Sequence, residues 1–393
     1  MPERLFQDAE APSLNPFPST EETEAMNEII NLTKELIRFK TMHTEPDEIQ
    51  RCMDFIQEYV TRLGLEAKRI NHDYVPSLIV LPSSGHAPVL LMSHIDVVDA
   101  PEELFFPREE AGKLYGRGSI DDKYAVALSL VLLRRHIERS KTQDELPFGV
   151  LITGDEEMGG FNGAKKALHE VGTDFCIALD GGSPNKIVSK EKGLLNVKLI
   201  SRGKAAHGAR PWLGENAIEK LIQDYSKIKD FFIQDEPDHW HRTMNFSIFQ
   251  AGKSHNQVPD HAEGIFDIRY TEHDDPDQLI EQFKALVQSE LVVEAKEPLF
   301  HGGESPYLSR LVALVPGTEV GFEHGASDAR FLSEHSIPGI VWGADGEMSQ
   351  HSESEHVLTD SVLNLAQTLE TFLTDTDSSL ASSGQTRPHS GYV

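Results

Sequence analysis

Val89-Leu90-Leu91-Met92-Ser93-His94-Ile95-Asp96-Val97-Val98 begins as a short apolar run and ends on an imidazole and a carboxylate two residues apart. A run of this length reads as a buried strand, and strand side chains alternate, so His94 and Asp96 point to the same side at its end. A metal-bound imidazole must be neutral and held in one tautomer, and a neighbouring carboxylate is the usual means of fixing its ring. Alone, a His-x-Asp pair is a weak signal that a core or surface role explains as well.

Working outward, the same arrangement recurs. Residues 148–153 form a second apolar run, followed by Gly154-Asp155-Glu156-Glu157-Met158-Gly159-Gly160. Residues 175–179 form a third, followed by Asp180, and residues 77–81 a fourth. Between them lie amphipathic stretches at 25–38, 49–63 and 125–136, the last introduced by the turn Gly116-Arg117-Gly118-Ser119-Ile120-Asp121-Asp122-Lys123. Strands alternating with helices predict an α/β domain, a central sheet flanked by helices. Open sheets of this kind bind ligands beyond the carboxyl ends of their strands, where these acids fall. A turn and a helix cap would account for one aspartate of the Asp121-Asp122 pair, but not for three acid-bearing loops in succession.

The pattern changes after Gly193. Residues 194–201 read as a strand, 217–232 as a helix, 244–250 and 264–270 as strands and 276–291 as a helix. This β-α-β-β-α order predicts a smaller α+β, ferredoxin-like unit inserted into the first domain. From about residue 307 the α/β character returns, with a strand at 340–342 and a closing helix at 361–372. The expected division is therefore 25–193 with 307–375 for the first domain and 194–306 for the insert. Residues 1–24 and 376–393 read as poorly ordered extensions from their Pro, Ser, Gly and Thr content.

A chain of 393 residues is long for one core and fits two domains. Its 36 Lys plus Arg against 64 Asp plus Glu give a formal charge of −28, which repels phosphate backbones and anionic lipids and argues against nucleic-acid or membrane partners. The two cysteines, Cys52 and Cys176, are too few for a disulfide framework or thiolate cage and read as buried thiols. No run approaches the roughly 20 apolar residues of a membrane span, so a cytoplasmic location is the default expectation. Late in the chain, Gln350-His351-Ser352-Glu353-Ser354-Glu355-His356 offers a second imidazole. Two hard cations with mixed oxygen and nitrogen ligands need about this set of groups, with one carboxylate left free for proton transfer.

The order His94-x-Asp96, Gly116-Arg117-Gly118-x-x-Asp121-Asp122-Lys123, Glu156-Glu157-x-Gly159, Asp180 and His351 resembles the M20 metallopeptidases, which include aminoacylases, acetylornithine and succinyl-diaminopimelate deacylases, dipeptidases and carboxypeptidases. The resemblance extends from roughly residue 26 to 374 and includes the insertion point of the smaller unit. It implies two divalent ions, zinc first with cobalt or manganese as substitutes, held by His94, Asp121 and Asp180 and by Asp121, Glu157 and His351. Asp121 is then the bridge, Asp96 orients His94, and Glu156 is the general base. It also implies a cis Asp121–Asp122 peptide. His324 and His356 compete with His351 for the last ligand position.

In the insert, Gly203-Lys204-Ala205-Ala206-His207-Gly208 resembles the family's lid, whose histidine reaches a partner subunit's site and steadies the oxyanion. The resemblance thus makes the insert a lid and dimerisation domain and the protein a homodimer. Asn256 and Arg269 match positions that contact the substrate's carboxylate end, although Arg269 could instead pair with Asp267. Ser327, in Gly325-Ala326-Ser327-Asp328-Ala329-Arg330, matches a loop beneath the substrate. Tyr124 replaces a common glycine and is expected to narrow the rim near the bridge.

The implied activity is hydrolysis of the amide bond of a small N-acyl amino acid or a short peptide with a free carboxylate. Within the family the alternatives are a di- or tripeptidase, favoured by aspartate rather than glutamate at position 180, and a carboxypeptidase. The alternative of another class is an inactive binding module on the same fold.

Overall fold

Strands covered on both faces are apolar throughout rather than alternating, and the opening run is one of them. In the computed structural model, which describes residues 20–140, 142–232 and 237–379, His86–His94 lies inside a nine-stranded mixed sheet. The spatial order is Lys68–His72, Val75–Val80, Phe148–Thr153, His86–His94, Gly172–Ala178, Gly339–Val341, Lys186–Glu191 and Phe300–His301, with Glu319–Glu323 also paired to Lys186–Glu191. The four strands from Phe148–Thr153 to Gly339–Val341 are parallel. Their carboxyl ends therefore share one edge, and the loops that follow Thr153, His94, Ala178 and Val341 meet there.

The faces of His86–His94 divide by parity. Val89 and Leu91 belong to the core layer under the helices Thr20–Ile37, Pro46–Arg62, Lys123–Ser140 and Thr359–Ser379, whereas Leu90 and Met92 belong to the opposite layer with Phe331 and Leu332. Burying each such aliphatic side chain contributes about 1.5–3 kcal/mol. The first three turns of Lys123–Ser140 are enclosed on every side, every residue from Asp122 to Leu133 being buried. Among the described residues no helix is long and apolar enough to cross a membrane.

A separate antiparallel sheet carries Thr243–Ala251, His261–Tyr270, Gly193–Arg202 and Glu290–Glu297 in that order. Its inner face, Leu195, Val197, Leu199, Phe266 and Ile268, packs on the helices Ala217–Lys229 and Pro276–Leu286. Asn216 and Asp275 cap those helices by accepting from Ile218 N and Glu219 N and from Asp277 N and Gln278 N. The helix expected over 276–291 ends at Leu286, and Glu290–Glu297 forms a strand that the sequence reading did not contain. Val287 is already extended, and Leu291, Val292 and Val293 favour the sheet. The order is therefore β-α-β-β-α-β, and the chain rejoins the large sheet at Phe300–His301.

Of the expected terminal extensions, residues 1–19 and 380–393 lie outside the described residues, while Thr20–Ile37 and Thr359–Ser379 carry helix into the remainder.

Candidate metal centre

His94 closes its strand with its side chain buried. Its Nδ1 faces the Asp96 main-chain carbonyl at 3.1 Å and the Asp96 carboxylate at 3.4 Å. With Nδ1 so occupied, Nε2 is the nitrogen presented to the cleft. It lies 3.0 Å from Asp121 Oδ1 and 3.6 Å from Asp180 Oδ2. On the other side of Asp121, His351 Nε2 stands 3.0 Å from Oδ2 and 3.1 Å from Glu157 Oε1. One carboxylate thus offers a separate oxygen to each imidazole. The ligand atoms of His94, Asp121 and Asp180 lie within 4.8 Å of one another, and so do those of Asp121, Glu157 and His351.

The supporting loops explain this convergence. The Asp96 carboxylate accepts the backbone N–H groups of Glu156 and Glu157, fixing the turn after Thr153. Gly160 in that turn has φ +64, and a Cβ there would meet Asp328 Oδ1 at 1.9 Å, so only glycine lets the turn seat on the Asp328 loop. Arg330 joins the two by donating to the Gly159 and Ser327 carbonyls. The Asp121–Asp122 peptide is cis, and Asp122 accepts from the His94 backbone N–H at 3.3 Å.

Charge is concentrated here. Burial alone would raise the Asp121 carboxyl, but hydrogen bonds from His351 and His94 outweigh it and hold the group well below the usual carboxylate range. The same contacts with Asp121 and Glu157 lift His351 to about 10. Burial would lower His94, yet its bonds to Asp121, Asp180 and Asp96 raise it well above its ordinary value. Among the described residues no such hydrogen bond reaches the Glu156 carboxyl, and burial followed by the Asp180 charge pushes it well up. Six carboxyl groups, those of Asp96, Asp121, Asp122, Glu156, Glu157 and Asp180, thus gather around two imidazoles. That excess of negative charge, with mixed oxygen and nitrogen donors, suits two divalent cations.

The cluster forms one wall of a cleft of about 760 Å³. Other walls come from Gly181–Ser183 and Lys186 of the large sheet, from the Gly325–Ser327 loop, and from Leu194 and Arg269 of the small sheet. Of the sequence-predicted residues, His94, Asp96, Asp121, Glu156, Glu157, Asp180 and His351 are brought together. Arg269 lines the cleft, but its guanidinium donates to Asp267 at 3.0 and 3.4 Å. Ser327 also lines it, donating its N–H and hydroxyl to Glu191. His207, which pairs with Gln257 where Ala206–His207 and Gln257–Val258 form a two-stranded ribbon, and the preceding turn residue Asn256 are exposed and outside the cleft.

Tyr124 does not narrow the rim. It is buried, donates to the Leu179 carbonyl at 2.6 Å and accepts from Ala344 N at 2.8 Å, so it braces two cleft loops from beneath. His356 turns to Glu347 and His324 packs beside Phe322 and Trp240, leaving His351 as the second imidazole of the cluster. The sequence reading missed Glu191, Arg330 and the Arg117–Glu355 pair. Arg117 and Glu355 stood inside quoted motifs, but nothing local indicated that they meet.

The sequence profile of peptidase family M20/M25/M40 matches residues 90–375. A probable succinyl-diaminopimelate desuccinylase of Staphylococcus epidermidis is 25% identical over 387 residues, covering 85% of this chain and 94% of that protein. Aminopeptidase PepT from Bacillus cereus has a similar fold, with TM-score 0.72 and 20% identity over 89% of this chain and 98% of that one. A dinuclear metal-binding peptidase from the M20 family of Bacillus subtilis superposes with TM-score 0.65 at 14% identity, covering 90% and 98% of the two chains.

Proposed function

The chain belongs to peptidase family M20/M25/M40 and is a metal-dependent hydrolase, and on that premise we propose that it cleaves the amide bond of a small N-acyl amino acid or short peptide with a free carboxylate, using two zinc ions. The observation that carries this reading is Asp121, whose two oxygens each lie 3.0 Å from a different imidazole Nε2. His94 and Asp180 complete one ion's set, and Glu157 and His351 the other's. Cations bound there supply Lewis acidity, polarising the amide carbonyl and acidifying the attacking water.

The chain's own groups do the rest. Glu156 lines the cleft beside the cluster and belongs to neither ligand group among the described residues, which makes its carboxylate the group free to take the water's proton. The same carboxyl then returns that proton to the leaving amine. Asp96 fixes both the His94 ring and the turn that carries Glu156. Arg269 and Asn256 meet the carboxylate end of the substrate, Arg269 by exchanging its Asp267 partner for the incoming anion, and the Ser327 loop lies beneath the substrate. The segment 194–306 serves as lid and dimerisation unit, with His207 acting across the dimer.

The cleft is also lined by Glu191 and by Lys186 and Glu323, which pair with each other at 2.5 Å, so it offers both signs of charge to a zwitterionic ligand. That favours, as a second reading, a di- or tripeptidase, in keeping with the shorter carboxylate of Asp180. A screen over acetyl-amino acids, dipeptides and tripeptides, with metal content measured on the same sample, separates the two. In that assay Asp121→Ala is expected to lose both ions together; full occupancy of either site in the variant would refute the bridge.

A further inference from the structure

His351 is the most exposed of the five clustered ligand candidates, with 52% of its side chain accessible. It lies on a loop where Glu347, Met348 and His351 all take positive φ. Such a loop does not hold an imidazole by burial, so something else must fix it. Contacts from the Gly116–Gly118 turn and Glu355 do so.

Arg117 and Glu355 form an ion pair with side-chain exposures of 4% and 0%. The pair spans the two loops that carry the shared carboxylate and the second imidazole. Glu355 Oε1 accepts Gly118 N at 2.8 Å, and the Glu355 main-chain carbonyl accepts Gly116 N at 3.1 Å. Arg117 donates from one nitrogen to Glu355 and from another to the His351 main-chain carbonyl at 3.3 Å. Asp121 follows three residues after Gly118. A buried pair of this kind contributes little net stability relative to well-packed apolar side chains, so its presence here is better explained by what its hydrogen bonds orient.

We infer that Arg117 and Glu355 are positioning residues that clamp the His351 loop to the Gly116–Gly118 turn and so hold the site formed by Asp121, Glu157 and His351. This rests on the two-cation reading above. It makes the two ion sites unequal: His94 and Asp180 are held by the large sheet, whereas His351 depends on the clamp. Losing the clamp should weaken one site and spare the other.

The test titrates zinc alone into the metal-free protein by calorimetry. Wild type is expected to take two ions per chain, and His351→Ala, as the reference, to keep one. In the double variant R117M/E355Q no charge is left unpaired, and the glutamine oxygen still accepts from Gly118 N. It is expected to unfold near the wild-type midpoint, keep the first ion, and bind the second about 10–100-fold more weakly. With cobalt(II) as probe, only the visible absorption of the second equivalent should change. Arg117→Lys, which keeps a cation beside Glu355 but withdraws the donor from the His351 carbonyl, carries the same expectation. Wild-type affinity for both ions in either folded variant overturns the clamp, as does loss of both ions together. Wild-type protein that takes up one ion or none overturns the two-cation reading instead.

Discussion

The carboxylate of Asp96 accepts the backbone N–H of Glu156 at 3.1 Å. Its other oxygen accepts Glu157 N at 3.0 Å, while His94 Nδ1 sits nearer the Asp96 carbonyl than its carboxylate. Asp96 therefore holds the turn that carries Glu156 and Glu157 as firmly as it holds the imidazole. In Asp96→Asn one oxygen becomes a donor facing a backbone N–H, so the turn must shift. The variant is expected to bind zinc about 10–100-fold more weakly and also to lose kcat when saturated with metal. A fall in affinity with saturated kcat intact would restrict Asp96 to the ring.

Glu156 has a different signature. Neither ligand group contains it, and a glutamine there keeps the shape while removing the proton acceptor. Glu156→Gln is expected to hold two zinc ions and to lose kcat by about 10²–10⁴-fold. A variant purified without zinc would instead make Glu156 a ligand.

Much of this site is legible from local patterning because strand ends and the acids beyond them are local. His94 with Asp96, Glu156 with Glu157, and Asp180 each follow an apolar run, and the parallel strands bring their loops to one edge. Arg117 and Glu355 are 238 residues apart, and only the fold brings them together. Tyr124 misleads for a related reason: its position predicts a rim contact, but the first turns of its helix are buried on every side, and its hydroxyl finds the Leu179 carbonyl and Ala344 N instead. Glu191 is invisible because Lys186–Glu191 alternates too weakly to read as a strand, although it pairs with Gly339–Val341 and Glu319–Glu323.

Glu191 yields a pH-dependent expectation. Burial pushes its carboxyl from an ordinary 4.5 up to about 7, against the opposing hydrogen bonds from Ser327. An acid raised in the folded state contributes stability that is fully present below its unfolded value and is lost as pH rises through its folded value. Glu191 should therefore favour folding below about 4.5 and cost stability above 7, with a swing of up to about 3 kcal/mol. Glu191→Gln should match the metal-free wild type in urea unfolding near pH 4.5 and exceed it at pH 8. An equal difference at both values would count against ionisation as the cause.

His207 supplies the last expectation, that activity needs two subunits. Attack on an amide carbonyl creates an oxyanion, and a hydrogen-bond donor aimed at it lowers the barrier. The imidazoles of His94 and His351 face the carboxylate cluster. His207 Nδ1 accepts from Ala209 N at 3.1 Å, which leaves the proton on Nε2 and makes that nitrogen a donor. Yet His207 is exposed and outside its own chain's cleft. The small sheet also ends on the edge strand Thr243–Ala251, with Ile248 and Phe249 exposed, a surface able to pair with a second copy about a two-fold axis. A bending motion within one chain is the competing route to the site. Mixing inactive Glu156→Gln with inactive His207→Ala distinguishes the two: subunit exchange should create one intact composite site per heterodimer and restore part of the activity. Fully active monomers at assay concentration, or no rescue despite demonstrated exchange, would leave only the motion within one chain.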